Sequence, residues 1–345
     1  MRRLLASGLW VVIAAVALTL VALLPRLGDL HPRDPRTAAD PGFDLSSSLI
    51  PVREIVASGM ARDGLEVLDE PAMLTVAEVE AAAERRRGKV LVSSDRVVGV
   101  VVGGEARAYP LRLLRWHEVV NDRIAGEPVL ISYSPLADSV VVARRSLDAE
   151  TLRFGLSGLL VDSVPLLYDR RDETPSASLW HQLAGRALTG PLAGRQLELL
   201  AADLAPWSEW RRRHPDTLVL APSPDAARRY RRDPYHSYMG SDLLRFPVDP
   251  LPPPGDLHLK DRVVAVGTGG TTRVFPLPRL AERAAASAGR VEVEVAGIRL
   301  EVTFDRELGT ALVEPIGRPV EHLEVRHAFW FAWHATWPET VLAER

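Results

Sequence analysis

The chain has 345 residues, 47% of them hydrophobic, and a formal net charge of −3. That length suits one large domain or two smaller ones, and the balanced charge removes the electrostatic reason to expect a nucleic-acid partner. The absence of cysteine excludes disulfides, thiolate metal ligands and cysteine nucleophiles.

Arg2 and Arg3 precede an apolar run, Leu4–Leu24, broken only by Ser7, Gly8 and Thr19. The run suits one membrane-spanning helix of about 20 residues. It ends in Leu23-Leu24-Pro25-Arg26, a poor cleavage site. The expectation is therefore an uncleaved anchor over residues 1–24, in contact with the membrane through residues 4–24. It gives a single-pass protein of the cell membrane with an extracytoplasmic body, although Arg26, Arg33 and Arg36 oppose Arg2 and Arg3 in the charge rule for orientation. Residues 25–50, with Pro25, Pro32, Pro35 and Pro41, read as a tether. A lead-in segment, 51–88, carries a predicted helix over Val76–Arg87 that runs into Gly88.

Then the chain repeats itself. Residues 95–114 (DRVVGVVVGGEARAYPLRLL) match 261–280 (DRVVAVGTGGTTRVFPLPRL). Lys89–Val92 and Val97–Val102 read as strands, and Gly103-Gly104 supplies the positive backbone angles of a tight hairpin before Glu105–Tyr109. Pro110 opens a helix predicted to run to about Val120. Val129–Tyr133 and Ser139–Ala143 read as strands around a polar turn. The same order is expected around Gly269-Gly270 and Pro276, with strands near Val291–Val295, Arg299–Phe304 and Thr310–Val313. A last echo pairs Trp207-x-x-Trp210…Thr217 with Trp330-x-x-Trp333…Thr340. Tryptophans at this spacing share one helix face and read as core anchors. The pattern implies an α+β fold with an antiparallel-strand-rich body of two related halves. The first repeat spans 89–250, with an insertion at about 146–200, and the second spans 251–345.

The phrases ARAYPLRLLRWHEVVND, LRFGLSGLLVDS, SLWHQLAGRALTGPLAG, WSEWRRRHPDTLVL and RDPYHSY resemble the family known as domain of unknown function 3179, over about residues 90–340. Members of that family typically carry Tyr-Cys-Pro-Leu-Cys-Gly-Thr. This chain has Tyr133-Ser134-Pro135-Leu136-Ala137-Asp138-Ser139 instead. The resemblance therefore implies that any metal or redox chemistry of the family's cysteine pair is lost here. It carries no established activity.

Reactive side chains present in only one copy are the better functional candidates. His117 heads them, flanked by Trp116 and Glu118 where the second copy has Glu282, Arg283 and Ala284. It reads either as a buried histidine satisfied by a hydrogen bond or as a ligand and proton-transfer residue. Ser134, Asp138 and Ser139 share the turn where the family's cysteines would sit, and a Ser-His-Asp set can be written from Ser134, His117 and Asp138. A polar hairpin tip is the plainer reading. The insertion adds Tyr168, Asp169, Trp180 and His181. His117, Asp169 and His181 together would suit a divalent metal with nitrogen and oxygen ligands, but no short ligand spacing is present and no cofactor is required. The expected function is a membrane-anchored binding or scaffolding protein for an unknown small-molecule or protein partner. The alternative is a hydrolase or metal-dependent enzyme using His117 with a carboxylate of the insertion, Glu118 and Asp169 being the other catalytic candidates.

Overall fold

The computed structural model describes residues 42–85, 91–171, 176–223, 229–284, 289–305, 308–320 and 322–343. The expected anchor at Leu4–Leu24 lies outside them. Among the described residues no helix is long and apolar enough to cross a membrane.

The body is α+β, with three main sheets and six short α-helices among the described residues. One order of elements occurs twice: hairpin, helix, three-strand meander, closing strand, Trp helix. In the first half these are Arg96–Val102 and Glu105–Pro110, Leu111–His117, the meander Val119–Ile124, Glu127–Ser134 and Ser139–Arg144, then Asp203–Pro206 and Trp207–Arg213. In the second half they are Arg262–Thr268 and Thr271–Pro276, Leu277–Ala284, the meander Arg290–Val295, Ile298–Asp305 and Thr310–Pro315, then Glu324–Phe329 and Trp330–Thr336.

The register repeats as well. Val97 faces Pro110 and Val263 faces Pro276 across the two hairpins. Gly103 and Gly104 take φ of 56° and 82°, Gly269 and Gly270 55° and 75°. Both turns thus use the left-handed angles that glycine adopts without a steric penalty. The predicted helix after Pro110 is shorter than expected, because Glu118 takes a left-handed φ of 57° as its C-cap and a strand begins at Val119. The strand expected at Lys89–Val92 is absent at Leu91 and Val92, the two of its residues that are described.

The halves exchange strands. An eight-stranded sheet joins the second meander to the first closing strand and first hairpin, and a seven-stranded sheet joins the first meander to the second closing strand and second hairpin. The crossings are Leu204↔Ala311 and His327↔Val140. Each half nonetheless closes its own core between the sheets. In the first, Val98, Val100 and Tyr109 of the hairpin and Leu113 of the helix meet Ile131, Tyr133 and Val142 of the meander. In the second, Val264, Val266, Phe275 and Leu277 meet Val293, Leu300 and Val302.

The Trp helices cover the outer faces. Trp210 donates its indole N–H to Thr217 at 3.0 Å and Trp333 to Thr340 at 3.1 Å, which explains why threonine recurs seven residues after each tryptophan. A buried indole N–H needs such an acceptor. The insertion builds the third sheet. Its strands Phe154–Val161, Val164–Asp169, Leu179–His181 and Arg186–Ala187 take Val56–Ala57 of the lead-in as an edge. A continuous core, from Leu130, Val141 and Ala143 to Phe154, Leu167, Trp180 and Trp333, seals it to the seven-stranded sheet and the last Trp helix.

Candidate functional site

Two places concentrate polar side chains in the interior. The first surrounds the 134–138 turn. Glu118 stops the helix there, donating its N–H to Leu114 O at 2.7 Å and accepting from the N–H of Tyr133 at 2.9 Å. Its side chain is buried and accepts a hydrogen bond from Tyr235 Oη at 3.1 Å. Burial raises the Glu118 carboxyl to about 7, against a smaller lowering by the tyrosine. Beside it His117 is fully buried, with Nδ1 2.7 Å from Glu66 O and Nε2 2.7 Å from Tyr230 Oη. Burial lowers its pKa, so the ring is neutral and acts as a hydrogen-bonded strut.

Asp138 sits at the end of the turn, 1% exposed, rather than at a solvated hairpin tip. Its Oδ1 accepts from Tyr133 Oη at 2.7 Å, and its Oδ2 meets Arg262 Nε at 2.5 Å and Arg96 Nη1 at 3.4 Å. The two arginines hold matching places in the two hairpins, so one carboxylate ties both halves. Burial alone would raise its pKa. The Arg262 and Arg96 charges overcome that and hold the carboxyl well below the usual carboxylate range. The second half has Gly309 at the matching place, and a Cβ there would stand 3.0 Å from Arg262 Nη1. Ser134 Oγ, by contrast, is buried with no hydrogen-bond partner. Ser139 Oγ donates to Gln182 Oε1 at 2.6 Å, stitching the turn to the insertion.

The remaining predicted residues are dispersed. Trp116 donates to Arg232 O at 3.2 Å. Tyr168 Oη donates to Asp63. Asp169 accepts from the Ser178 N–H and pairs with Arg171 at 3.2 Å, closing its own hairpin. Trp180 packs edge-on against Phe154, centroids 5.6 Å apart, with its indole N–H unpartnered. The His117 nitrogens are taken by Glu66 and Tyr230, so its bonds reach none of Ser134, Asp138, Asp169 or His181. Among the described residues no group of three or more His, Asp or Glu side chains is arranged to hold a metal ion.

His181 opens on the second place, a cavity of about 500 Å³ between the insertion and the last Trp helix. Val161, Asp162, Ala184 and Arg186 contribute one wall, and Glu324, Arg326 and Trp337 of the second half another. His181 Nδ1 accepts the Ala184 N–H at 3.2 Å, which places the ring proton on Nε2. Burial lowers its pKa to about 4.

The sequence names neither the partners of these residues nor Arg326. Tyr230 and Tyr235 lie in the YRRDPYHSY stretch, 230–238, far along the chain from His117 and Glu118. Arg96 and Arg262 were visible as a repeated Asp-Arg pair. Arg326 had a signal too, since the matching place in the first copy is Asp203.

No curated protein and no solved structure shows significant similarity to this chain. A family profile described as a protein of unknown function, DUF3179, matches residues 62–340. The match covers most of the chain and includes both hairpins, the insertion and both Trp helices. With its cysteine-free 134–139 turn, the chain belongs to the DUF3179 family.

Proposed function

We propose that this protein is a binding module held at the extracytoplasmic face of the cell membrane by residues 4–24, with its ligand site in the cavity beside the insertion. The two halves are read as an internal duplication related by a pseudo-two-fold axis, and the insertion as the part that makes the first half functional. The observation that carries the binding reading is the division of labour among polar side chains. Those that could do chemistry, His117, Asp138 and Asp169, spend their hydrogen-bonding capacity on internal partners. In the cavity, by contrast, the Arg326 Nε has no hydrogen-bond partner, and the cavity's size of about 500 Å³ falls within the roughly 300–1,000 Å³ of small-molecule sites. A hydrolytic reading would need a nucleophile hydrogen-bonded to a base, and the unpartnered Ser134 Oγ supplies none.

The test is a thermal-shift screen of small molecules on the full-length protein and on Ala184→Trp, which fills the cavity. Hits lost in the variant support the reading. Hits that survive it, or turnover of a hydrolysable substrate abolished by His117→Ala in a folded protein, contradict it. Fractionation with protease accessibility tests the tether, and a body recovered in the cytoplasmic soluble fraction would refute it.

A further inference from the structure

Arg326 is a buried cavity residue whose charge is answered only in part, by Glu324. It is 6% exposed, yet its Nε has no hydrogen-bond partner, its Nη1 reaches Leu183 O only at 3.4 Å, and its Nη2 stands 3.8 Å from Glu324. A guanidinium carries five donors, and here one long bond engages them. Its Cζ lies over the Trp333 and Trp337 rings, 5.0 and 4.9 Å from their centroids. Stacking of this kind orients a guanidinium but leaves its N–H edge open. Burial lowers the group to about 10 from the usual 12.5, with Glu324 offsetting only part. Other buried arginines are better served. Arg145, 2% exposed, donates to the carbonyls of Val129, Leu152 and Asp122.

We propose that the cavity binds a small organic monocarboxylate, with Arg326 gripping the carboxylate, His181 Nε2–H as a second donor and Trp337 as a flat apolar wall. The proposal rests on the binding reading above and names its ligand class. A carboxylate matches the planar fork of a guanidinium and supplies the missing counter-charge. A single negative charge is favoured over a phosphate dianion because Glu54, Asp162, Asp249 and Glu324 line the cavity beside Arg186 and Arg326, and each further negative charge on the ligand adds to their repulsion. A cation would be drawn to those carboxylates and repelled by Arg326, so a cation of the same body is the discriminating probe.

The experiment is isothermal titration of the full-length protein in detergent with acetate, hexanoate, phenylacetate and, as a cation of the same body, phenethylamine. At least one carboxylate with an apolar body is expected to bind, more tightly than acetate, while phenethylamine does not. Arg326→Met is expected to weaken that binding at least tenfold. Arg326→Lys, which keeps the charge but not the fork, should weaken it as well and serves if the methionine variant fails to fold. No binding by any carboxylate, preference for phenethylamine, or undiminished affinity in the Arg326 variants would overturn the proposal. If ligands of other chemistry are still lost in Ala184→Trp, the cavity reading stands and only the carboxylate assignment falls.

Discussion

Around the 134–138 turn, Arg96 and Arg262 converge on Asp138, and the Tyr133 hydroxyl takes the carboxylate's other oxygen. Beside the insertion, Arg326 is buried as deeply among aromatic rings, with a single carboxylate at 3.8 Å and a donor left over. In the first region the Asp138 charge is answered by two arginines of the fold itself. The second leaves the Arg326 Nε without a hydrogen-bond partner. The difference separates two uses of arginine, one fastening the two halves through a buried carboxylate and one proposed to meet an external anion. A buried pair is costly to break because the surviving charge remains desolvated, whereas a poorly paired charge adds little stability where it stands.

The sharpest way to break the first region is Asp138→Asn. It leaves Arg96 and Arg262 without their shared counter-charge and is expected to cost about 3–5 kcal/mol, read by urea unfolding. A loss below about 1 kcal/mol would show that the arginines find other partners and that the turn does not fasten the halves.

Glu118→Gln comes next, and its effect depends on pH. The folded-state pKa of Glu118 is raised from 4.5 to about 7. Its contribution is therefore fully present below about pH 4.5 and is lost as pH rises through 7. Glutamine keeps an acceptor for Tyr235 and has no charge to bury. The variant should match the wild type near pH 4 and exceed it above pH 8 by up to roughly 3 kcal/mol. Parallel melting curves across that range would count against a neutral, buried Glu118.

Ser134→Ala is the smallest of the three changes. The hydroxyl is buried without a partner, a cost of about 1–3 kcal/mol when an acceptor or donor is stranded. Removing it should raise stability by about 1 kcal/mol, with a small methyl-sized loss of packing set against the gain. A clear destabilisation would mean that the hydroxyl is satisfied after all.

Much of the scaffold was legible because it rests on local chemistry. The paired glycines, the Trp-x-x-Trp faces and the alternating valines each act over a few residues, and each appears where the pattern put it. The exchange of strands was not legible, since Leu204↔Ala311 and His327↔Val140 are single crossings between distant segments with no local signature. The site was partly legible. Choosing residues peculiar to the first copy led to His117, Glu118, Asp138 and His181, but not to their partners. Arg262 lies 124 residues from Asp138 and Tyr230 113 from His117, and only the fold brings them together. Arg326 differs from Asp203 at the matching place, but arginine is the chain's common cation and its burial is a tertiary fact.

The central claim is that the two arginine sites are built for different ends, and one measurement addresses it directly: ligand-free urea unfolding of Asp138→Asn beside Arg326→Met at neutral pH. The expected result is a loss of about 3–5 kcal/mol for Asp138→Asn and a change within about 1 kcal/mol for Arg326→Met, where an apolar side chain replaces a poorly paired charge. A loss for Arg326→Met as large as that for Asp138→Asn would contradict the account, because Arg326 would then be a fastening of the fold rather than an open ligand site.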